Sequence, residues 1–367
     1  MKKKLLIFHP IIAPYRIDMV NELVAHFDVT LCLFASNLQG QNFNIEKLYE
    51  ERLFIKPKFL TKKVKERKLV LLPAIWREIG LCQPDVIIVS EFSLIVWGVL
   101  LYRLWHGLHY KVISLVDDSI DMIEHVHSVF IKHSIARTFT MPLLDEIINL
   151  DIRAAEWYQR KYGKGVFFPL VSNDVTFRER LQRILPISEE YVRKYLLGGK
   201  KILLFVGRLS SEKNISMAIE AFLQVQRPDC QFVIVGAGPE EDGLHQKYGN
   251  EKTVMFAGRY EGDALYAWYN VAQVLILPSV REPFGAVTNE ALMSGCWVLL
   301  SEVAGSGCLI EENRNGSFVS PHDKDNMSAQ IAKALGSAEP IELPLKVKSD
   351  RMIESFQEYI DNLIRAI

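Results

Sequence analysis

The chain is poor in several features that mark common function classes. Its five cysteines (Cys32, Cys82, Cys230, Cys296, Cys308) are scattered, odd in number and without a C-x-x-C pair, so neither a disulfide framework nor a zinc site is indicated. They read as reduced thiols in a cytoplasmic protein. Net charge is small too: 43 Lys+Arg oppose 44 Asp+Glu, a formal −1. Neither half is basic enough to argue for nucleic acid. Long apolar runs are missing. The longest, residues 92–102, is interrupted by Arg103 and falls far short of the ~20 residues that span a bilayer. Met1-Lys2-Lys3-Lys4 resembles a signal-peptide start only superficially, because residues 5–8 are too short an apolar run and read instead as a first buried strand.

What is present is a βα rhythm. Apolar runs at 5–8, 29–34, 86–90, 112–116, 147–150 and 166–168 alternate with helical stretches, and the rhythm restarts at Lys201. At 367 residues the chain suits two domains.

Residues 281–290 read R-E-P-F-G-A-V-T-N-E, which places seven residues between Glu282 and Glu290 after an apolar run at 274–277. Pro283 and Gly285 force a tight turn, and 286–294 reads as a helix closed by Gly295. Backbone N–H groups of Phe284, Gly285, Ala286 and Val287 at that helix start, with the positive end of the dipole, suit an anion. At ~1.5 Å rise per residue the two carboxylates stand on the order of ten Å apart. Two solvated carboxylates are the bland reading. A glycosidase pair would have to flank one bond at ~5 to 9 Å, and nothing else suggests one.

A second motif follows the apolar run 201–206: Gly207-Arg208-Leu209-Ser210-Ser211-Glu212-Lys213-Asn214, then an amphipathic helix over 215–223. A departing diphosphate without a metal needs positioned cations. Arg208 offers a planar fork and Lys213 a point charge, although such residues are also often merely solvated. Between the motifs, 232–241 reads F-V-I-V-G-A-G-P-E-E. The dinucleotide fingerprint needs Gly or Ala where Glu241 stands, so no nicotinamide or flavin site is expected; the glycines permit a tight strand-to-helix turn.

G-R-L-x-x-E-K followed about seventy residues later by E-P-F-G and the second Glu resembles the retaining GT-B glycosyltransferases, especially glycosyltransferase family 4, over most of residues 200–320. The resemblance implies an α/β GT-B architecture, two Rossmann-like doubly wound parallel-sheet domains facing across a cleft. It implies transfer of a sugar, with retention, from a nucleoside diphosphate to the hydroxyl of a glycan or lipid-linked acceptor. The setting would be polysaccharide or glycolipid assembly, such as capsule or lipopolysaccharide. Glu282 would contact the donor sugar and Glu290 the ribose, and Arg208 and Lys213 would hold the pyrophosphate beside Gly207 and the turn from Phe284 to Val287. No cofactor or metal is expected.

Residues 1–172 would form the acceptor-side domain and 173–345 the donor domain, with the crossing somewhere in 169–200. The segment 346–367 would return to the first domain through Met352, Ile353, Phe356, Tyr359, Ile360 and Ile364. In the first half A-P-Y-R at 13–16 is similar to some members, and Arg16 either holds a sugar phosphate or acceptor or is an exposed first-turn residue. Family enzymes often place a His or Asp after the fourth strand; Asp117 or Asp118 would be the counterpart, Asp117 preferred, unless both only cap the next helix. His125 and His127 have no ligand spacing. From Lys56 to Lys68, seven cations and one acid interleave with apolar residues, either a solvated face or a patch for anionic lipid at the inner face of the plasma membrane or for an anionic glycan. A nucleotide-sugar epimerase or hydrolase of the same fold, and a non-catalytic nucleotide-sugar-binding scaffold, are the alternatives.

Overall fold

The structure, a computed structural model, describes residues 1–34, 49–50, 52–60, 71–118, 120–124 and 131–367. The chain divides into two compact units, the first of residues 1–172 with 356–367, the second of residues 173–355.

In the first unit, β1 (Lys4–His9), β2 (Asp28–Leu33), β3 (Lys58–Phe59), β4 (Val86–Ser90), β5 (Lys111–Val116), β6 (Glu146–Asn149) and β7 (Val166–Phe167) pair in parallel in the order β3-β2-β1-β4-β5-β6-β7. Sequences such as KVISLV and VIIVS are apolar nearly throughout because helices cover both faces of a parallel sheet. Connections from β3 to β7 all advance the same way. Right-handed crossovers therefore put helices Leu72–Cys82, Leu94–Trp105, Ile131–Thr140 and Ile152–Tyr162 on one face, where Ile75, Val99 and Tyr158 share a core with β1 and β4. Helix Ile17–His26 joins β1 to β2 in the opposite sense, and helix Phe356–Ala366 packs against it and β7.

The second unit repeats the plan with β8 (Lys201–Val206), β9 (Cys230–Val235), β10 (Val254–Gly258), β11 (Val274–Leu277), β12 (Trp297–Ser301) and β13 (Gly316–Val319) in the order β10-β9-β8-β11-β12-β13, all parallel. Chain direction across the sheet reverses between β1 and β4 in one unit and between β8 and β11 in the other. Loops leaving the carboxyl ends of those neighbouring strands diverge and leave a crevice, the usual ligand position in open α/β sheets.

The crossing expected within 169–200 falls after Ser172, and the stretch 174–194 is two helices of the second unit, Asp174–Arg183 and Leu185–Lys194. Asn173 caps the first by accepting from Thr176 N at 3.1 Å. Asn270 Nδ2 ties both to the body, donating to Leu181 O at 3.1 Å and Ser188 Oγ at 3.2 Å. At the other end, 346–355 stays with the second unit as a strap. Half-buried Lys348 donates to Tyr269 O at 3.0 Å and to Ala272 O, and desolvation lowers its pKa. Arg351 donates to Gly295 O at 3.1 Å and lies over the Trp297 ring. The strap fits because Gly295 has no side chain; a Cβ there would lie 2.5 Å from Ser349 O. The terminal helix starts only at Phe356. It buries Phe356, Tyr359, Ile360 and Leu363, with Tyr359 5.9 Å from the Phe167 ring, while Ile353 is exposed. Among the described residues, no helix is long and apolar enough to cross a membrane.

Candidate active site

Both sequence motifs emerge at the reversal point of the second sheet, one after β8 and one after β11. The loop after β8 forms a 3₁₀ turn, Ser211–Lys213, ending at Asn214 with φ of 55°. Asn214 Nδ2 donates to Pro278 O at 3.3 Å and Pro321 O at 2.8 Å, and Val280 N donates to Glu212 O at 2.9 Å. These bonds set the first motif beside the second. Lys213 Nζ forms an ion pair with Glu282 Oε2, their side chains only 19% and 9% exposed, and Ser279 Oγ reaches the same oxygen at 3.5 Å. A charge so sheltered is costly unless paired, so the contact fixes both side chains. Arg208, by contrast, is exposed, and its side chain makes no hydrogen bond to the other described residues.

After Glu282 the turn depends on glycine. Gly285 has φ of 92°, and a Cβ there would lie 2.6 Å from Leu277 Cδ2 and 3.2 Å from Glu282 Cγ. Gly305 is equally constrained, since its Cβ would meet Pro283 O at 2.0 Å. The helix that follows is Val287–Met293, with Thr288 N bonded to Gly285 O and Glu290 N to Ala286 O. The amide of Val287, at the first helical position, lacks a helical partner by construction, whereas that of Thr288 is taken by Gly285 O. Phe284 is 3% exposed, so only its backbone is open to a ligand. Glu290 is gripped at both oxygens, by Tyr269 Oη at 2.7 Å and Tyr266 Oη at 3.2 Å. Burial, and then the Glu290 charge, push the Tyr269 hydroxyl well above its ordinary pKa, so it stays a donor.

The glycines after β9 serve close backbone approach. A Cβ on Gly236 would lie 1.8 Å from Gly207 O, and one on Gly238 2.3 Å from Leu209 O. Leu209 N donates to Ala237 O and Glu240 N to Leu209 O, so the Gly207–Leu209 and 236–240 loops interlock.

At the carboxyl end of the first sheet the residues come from four separate segments. Arg16 is 3% exposed and donates to Asp117 Oδ1 at 2.5 Å, whereas Asp117 is half exposed. Arg16 Nη1 is buried without a hydrogen-bond partner, which suits a ligand oxygen. His9 Nδ1 lies 2.6 Å from Ile11 O; burial, then the neighbouring Arg16, lower its pKa to about 4, so it is neutral. Asp118 lies inside, 1% exposed, accepting from Tyr158 Oη, with Arg137 Nη1 and His133 Nδ1 each 3.4 Å away. Of the two acids, Asp117 is therefore the one open to a ligand and Asp118 the internal one.

Glu91 and His133 were not singled out from sequence. Glu91 follows β4 with φ of 59°, a left-handed conformation rare outside glycine, and accepts from Asp117 N at 3.2 Å. His133 Nε2 lies 3.2 Å from its carboxylate. That bond, followed in size by burial, which opposes it, leaves the His133 pKa raised; burial raises that of Glu91. Glu91, Asp118 and His133 bring one ligand atom each within 4.8 Å of one another. The Arg137 guanidinium beside Asp118 opposes a cation there, so the set reads as an ion-pair network. Tyr266 and Tyr269 were also missed; their spacing of three places both on one helix face. His125, His127 and residues 61–68 of the basic segment lie outside the described residues. Lys58 of that segment pairs with buried Glu78 at 2.9 Å.

With this geometry in place, comparison with known proteins is informative. Residues 188–349 match the model described as glycosyl transferases group 1. The matched stretch lies wholly within the second unit. An uncharacterized glycosyltransferase, MJ1607, of Methanocaldococcus jannaschii is 36% identical over 140 residues, 37% of this chain and 36% of the relative. The glycogen synthase of Mycobacterium tuberculosis is 28% identical over 163 residues, 43% of this chain and 39% of the relative. The matched region thus spans well under half of either curated relative's length. Across both units, the solved structure of Anabaena Alr3699/HepE in complex with UDP and glucose matches with a TM-score of 0.68 at 16% identity, covering 91% of this chain and 90% of that one. The fold is GT-B.

Proposed function

We propose that the protein is a retaining glycosyltransferase that moves a sugar from a nucleoside diphosphate to a hydroxyl on a glycan or lipid-linked acceptor. The observation that carries this reading is the Lys213–Glu282 ion pair, which joins the two motifs at the reversal point of the sheet. A negatively charged diphosphate entering there would meet Lys213 and the exposed fork of Arg208 beside the start of helix Val287–Met293. Lys213 contacting phosphate leaves Glu282 free to accept from the sugar hydroxyls. Glu290, oriented by Tyr266 and Tyr269, accepts from the ribose. As the glycosidic bond breaks, charge collects on the diphosphate, and Arg208 and Lys213 stabilise it most at that moment. A diphosphate oxygen takes the acceptor proton on the face the leaving group vacates, which gives retention. These residues supply the positive charge themselves, so the reading needs no metal. The names of the group 1 relatives, and the UDP and glucose held by Alr3699/HepE, support a nucleotide-sugar donor.

The test is a thermal-shift screen against UDP-, GDP-, ADP- and CMP-sugars with wild type, Arg208→Ala and Glu290→Ala. A ligand bound only to the native state at 100 times its Kd stabilises by ~2.7 kcal/mol. Stabilisation by one nucleotide class that both variants lose is expected; equal shifts in all three proteins would overturn the assignment. The anomeric configuration of the product, read by NMR, tests retention.

A further inference from the structure

Helix Leu94–Trp105 is apolar on two sides. Ile95, Val96, Val99 and Leu100 are buried against the first sheet. Leu101, Leu104, Trp105 and, just past the helix, Leu108 point outward, Leu104 80% and Trp105 78% exposed. Their spacing keeps them on one stripe. A helix apolar all round belongs in an interior or against a second apolar phase. Its neighbours extend the stripe. Helix Ile131–Thr140 exposes Ile135 and Phe139 one turn apart, followed by Leu143. Helix Leu72–Cys82 exposes Leu81. Continuity is direct, because Trp105 lies 6.3 Å from the Trp76 ring and Arg103 donates to Leu143 O at 3.0 Å. Single exposed leucines need no explanation, but a connected set across three helices does.

Charge identifies the occupant. Across residues 71–83, 93–111 and 131–143 the only carboxylate is Glu78, which is 4% exposed and paired with Lys58 and Arg77. Asp145, at the edge, is held by Arg103 at 2.7 Å. Exposed polar groups described in these stretches are Arg77, Gln83, His106, His109, Lys111 and Thr138, none of them acidic. Exposed Trp and Leu among basic groups, without a free acid, match a helix lying in a bilayer interface, with Trp at headgroup depth. A second protein copy would bring an equally basic rim against this one, and like charges oppose that pairing.

We propose that this face of the first unit rests on a lipid bilayer bearing anionic headgroups, with helix Leu94–Trp105 lying in the interface plane. The surface is built from residues other than those assigned to the donor, so it stands or falls separately from the transfer reaction.

The experiment is co-flotation of the full chain with phosphatidylcholine vesicles and with phosphatidylcholine–phosphatidylglycerol vesicles, alongside sedimentation to read mass. Wild type should float with the anionic vesicles, more weakly as salt rises. The double variant Leu104→Ser/Trp105→Ser should lose about tenfold or more in partitioning, since binding scales with buried apolar area. Phe139→Ser, on a different helix, should lose less, and guards against a folding defect in the double variant. Nucleotide-sugar binding of each variant, measured without lipid, should match wild type. Failure of wild type to float, or flotation undiminished in both variants, overturns the proposal. So does a dimer that the double variant splits without any vesicle binding, which would make a second copy the occupant.

Discussion

The two units share a strand plan and a reversal point, yet they build unlike sites on it. In the second unit cations lead: Arg208 is open, Lys213 is paired, and the carboxylates Glu282 and Glu290 are each held by a donor. In the first the charges balance: Glu91, Asp117 and Asp118 pair with Arg16, Arg137 and His133. The same crevice geometry therefore holds an exposed cation beside one tight ion pair in one unit and a largely closed ion-pair network, with Asp117 half exposed, in the other. Topology decides where a ligand can sit, and loop residues decide which charge it carries.

Substitutions can break this comparison or sharpen it. The largest effect is expected from Lys213→Ala, which removes a diphosphate cation and strands Glu282. Turnover should fall by about 10²–10³-fold, the range for removing one transition-state donor. Asp117→Ala in the first unit should reduce turnover while leaving nucleotide binding in the thermal-shift assay unchanged; loss of nucleotide binding would erase the proposed difference between the units. Tyr269→Phe should weaken nucleotide-sugar binding by roughly tenfold, since a hydrogen bond to a charged group contributes about 1.5–3 kcal/mol. Calorimetric titration reads it directly.

Gly238→Ala should destabilise by ~1–3 kcal/mol in chemical denaturation, because its Cβ meets Leu209 backbone atoms. Gly243→Ala, on helix Glu241–Tyr248 with open space around its Cβ, should stabilise by ~0.4–1 kcal/mol. The smallest effect is in pH dependence. His133 and Glu91 both have raised folded-state pKa values, so the folded chain binds more protons than the unfolded chain over the range they bracket. Stability from the His133 pairing is complete below about 6.5, its unfolded value, and fades as pH climbs through the higher folded value. His133→Gln should flatten the decline in denaturation midpoint between mildly acidic and mildly alkaline buffer. An unchanged slope would remove His133 from the pair.

The second unit was legible in sequence because its site is contiguous: each motif is one strand, one glycine-governed turn and one helix start. Lys201 to Val206, Val274 to Leu277 and the two glutamates all emerged from local pattern, and the turn at Gly285 needs that residue for steric reasons visible in the local sequence. The first unit was less legible because its site is assembled from four separate segments. Arg16 and Asp117 were named, but nothing local ties Glu91 or His133 to them; only the pairing of β4 with β5 brings Glu91 beside Asp117. Tyr266 and Tyr269 failed for a related reason, since aromatic residues on a buried helix usually read as core. The strap at 346–355 was taken into the terminal segment because Met352 and Ile353 continue its apolar pattern, although Lys348 and Arg351 anchor it to the second unit.

The backbone leaves the first unit after Ser172 and re-enters it only at Phe356. The second unit is thus an insertion within the first, and the terminal helix completes a body begun by β1. During synthesis the second unit has all of its chain before the first does, so β7 and helix Ile17–His26 must wait for the final residues to cover them. A chain halted before Phe356 would hold a finished second unit on an unfinished first one. Lesions in helix Phe356–Ala366 should therefore show as a folding defect of the body that β1 begins.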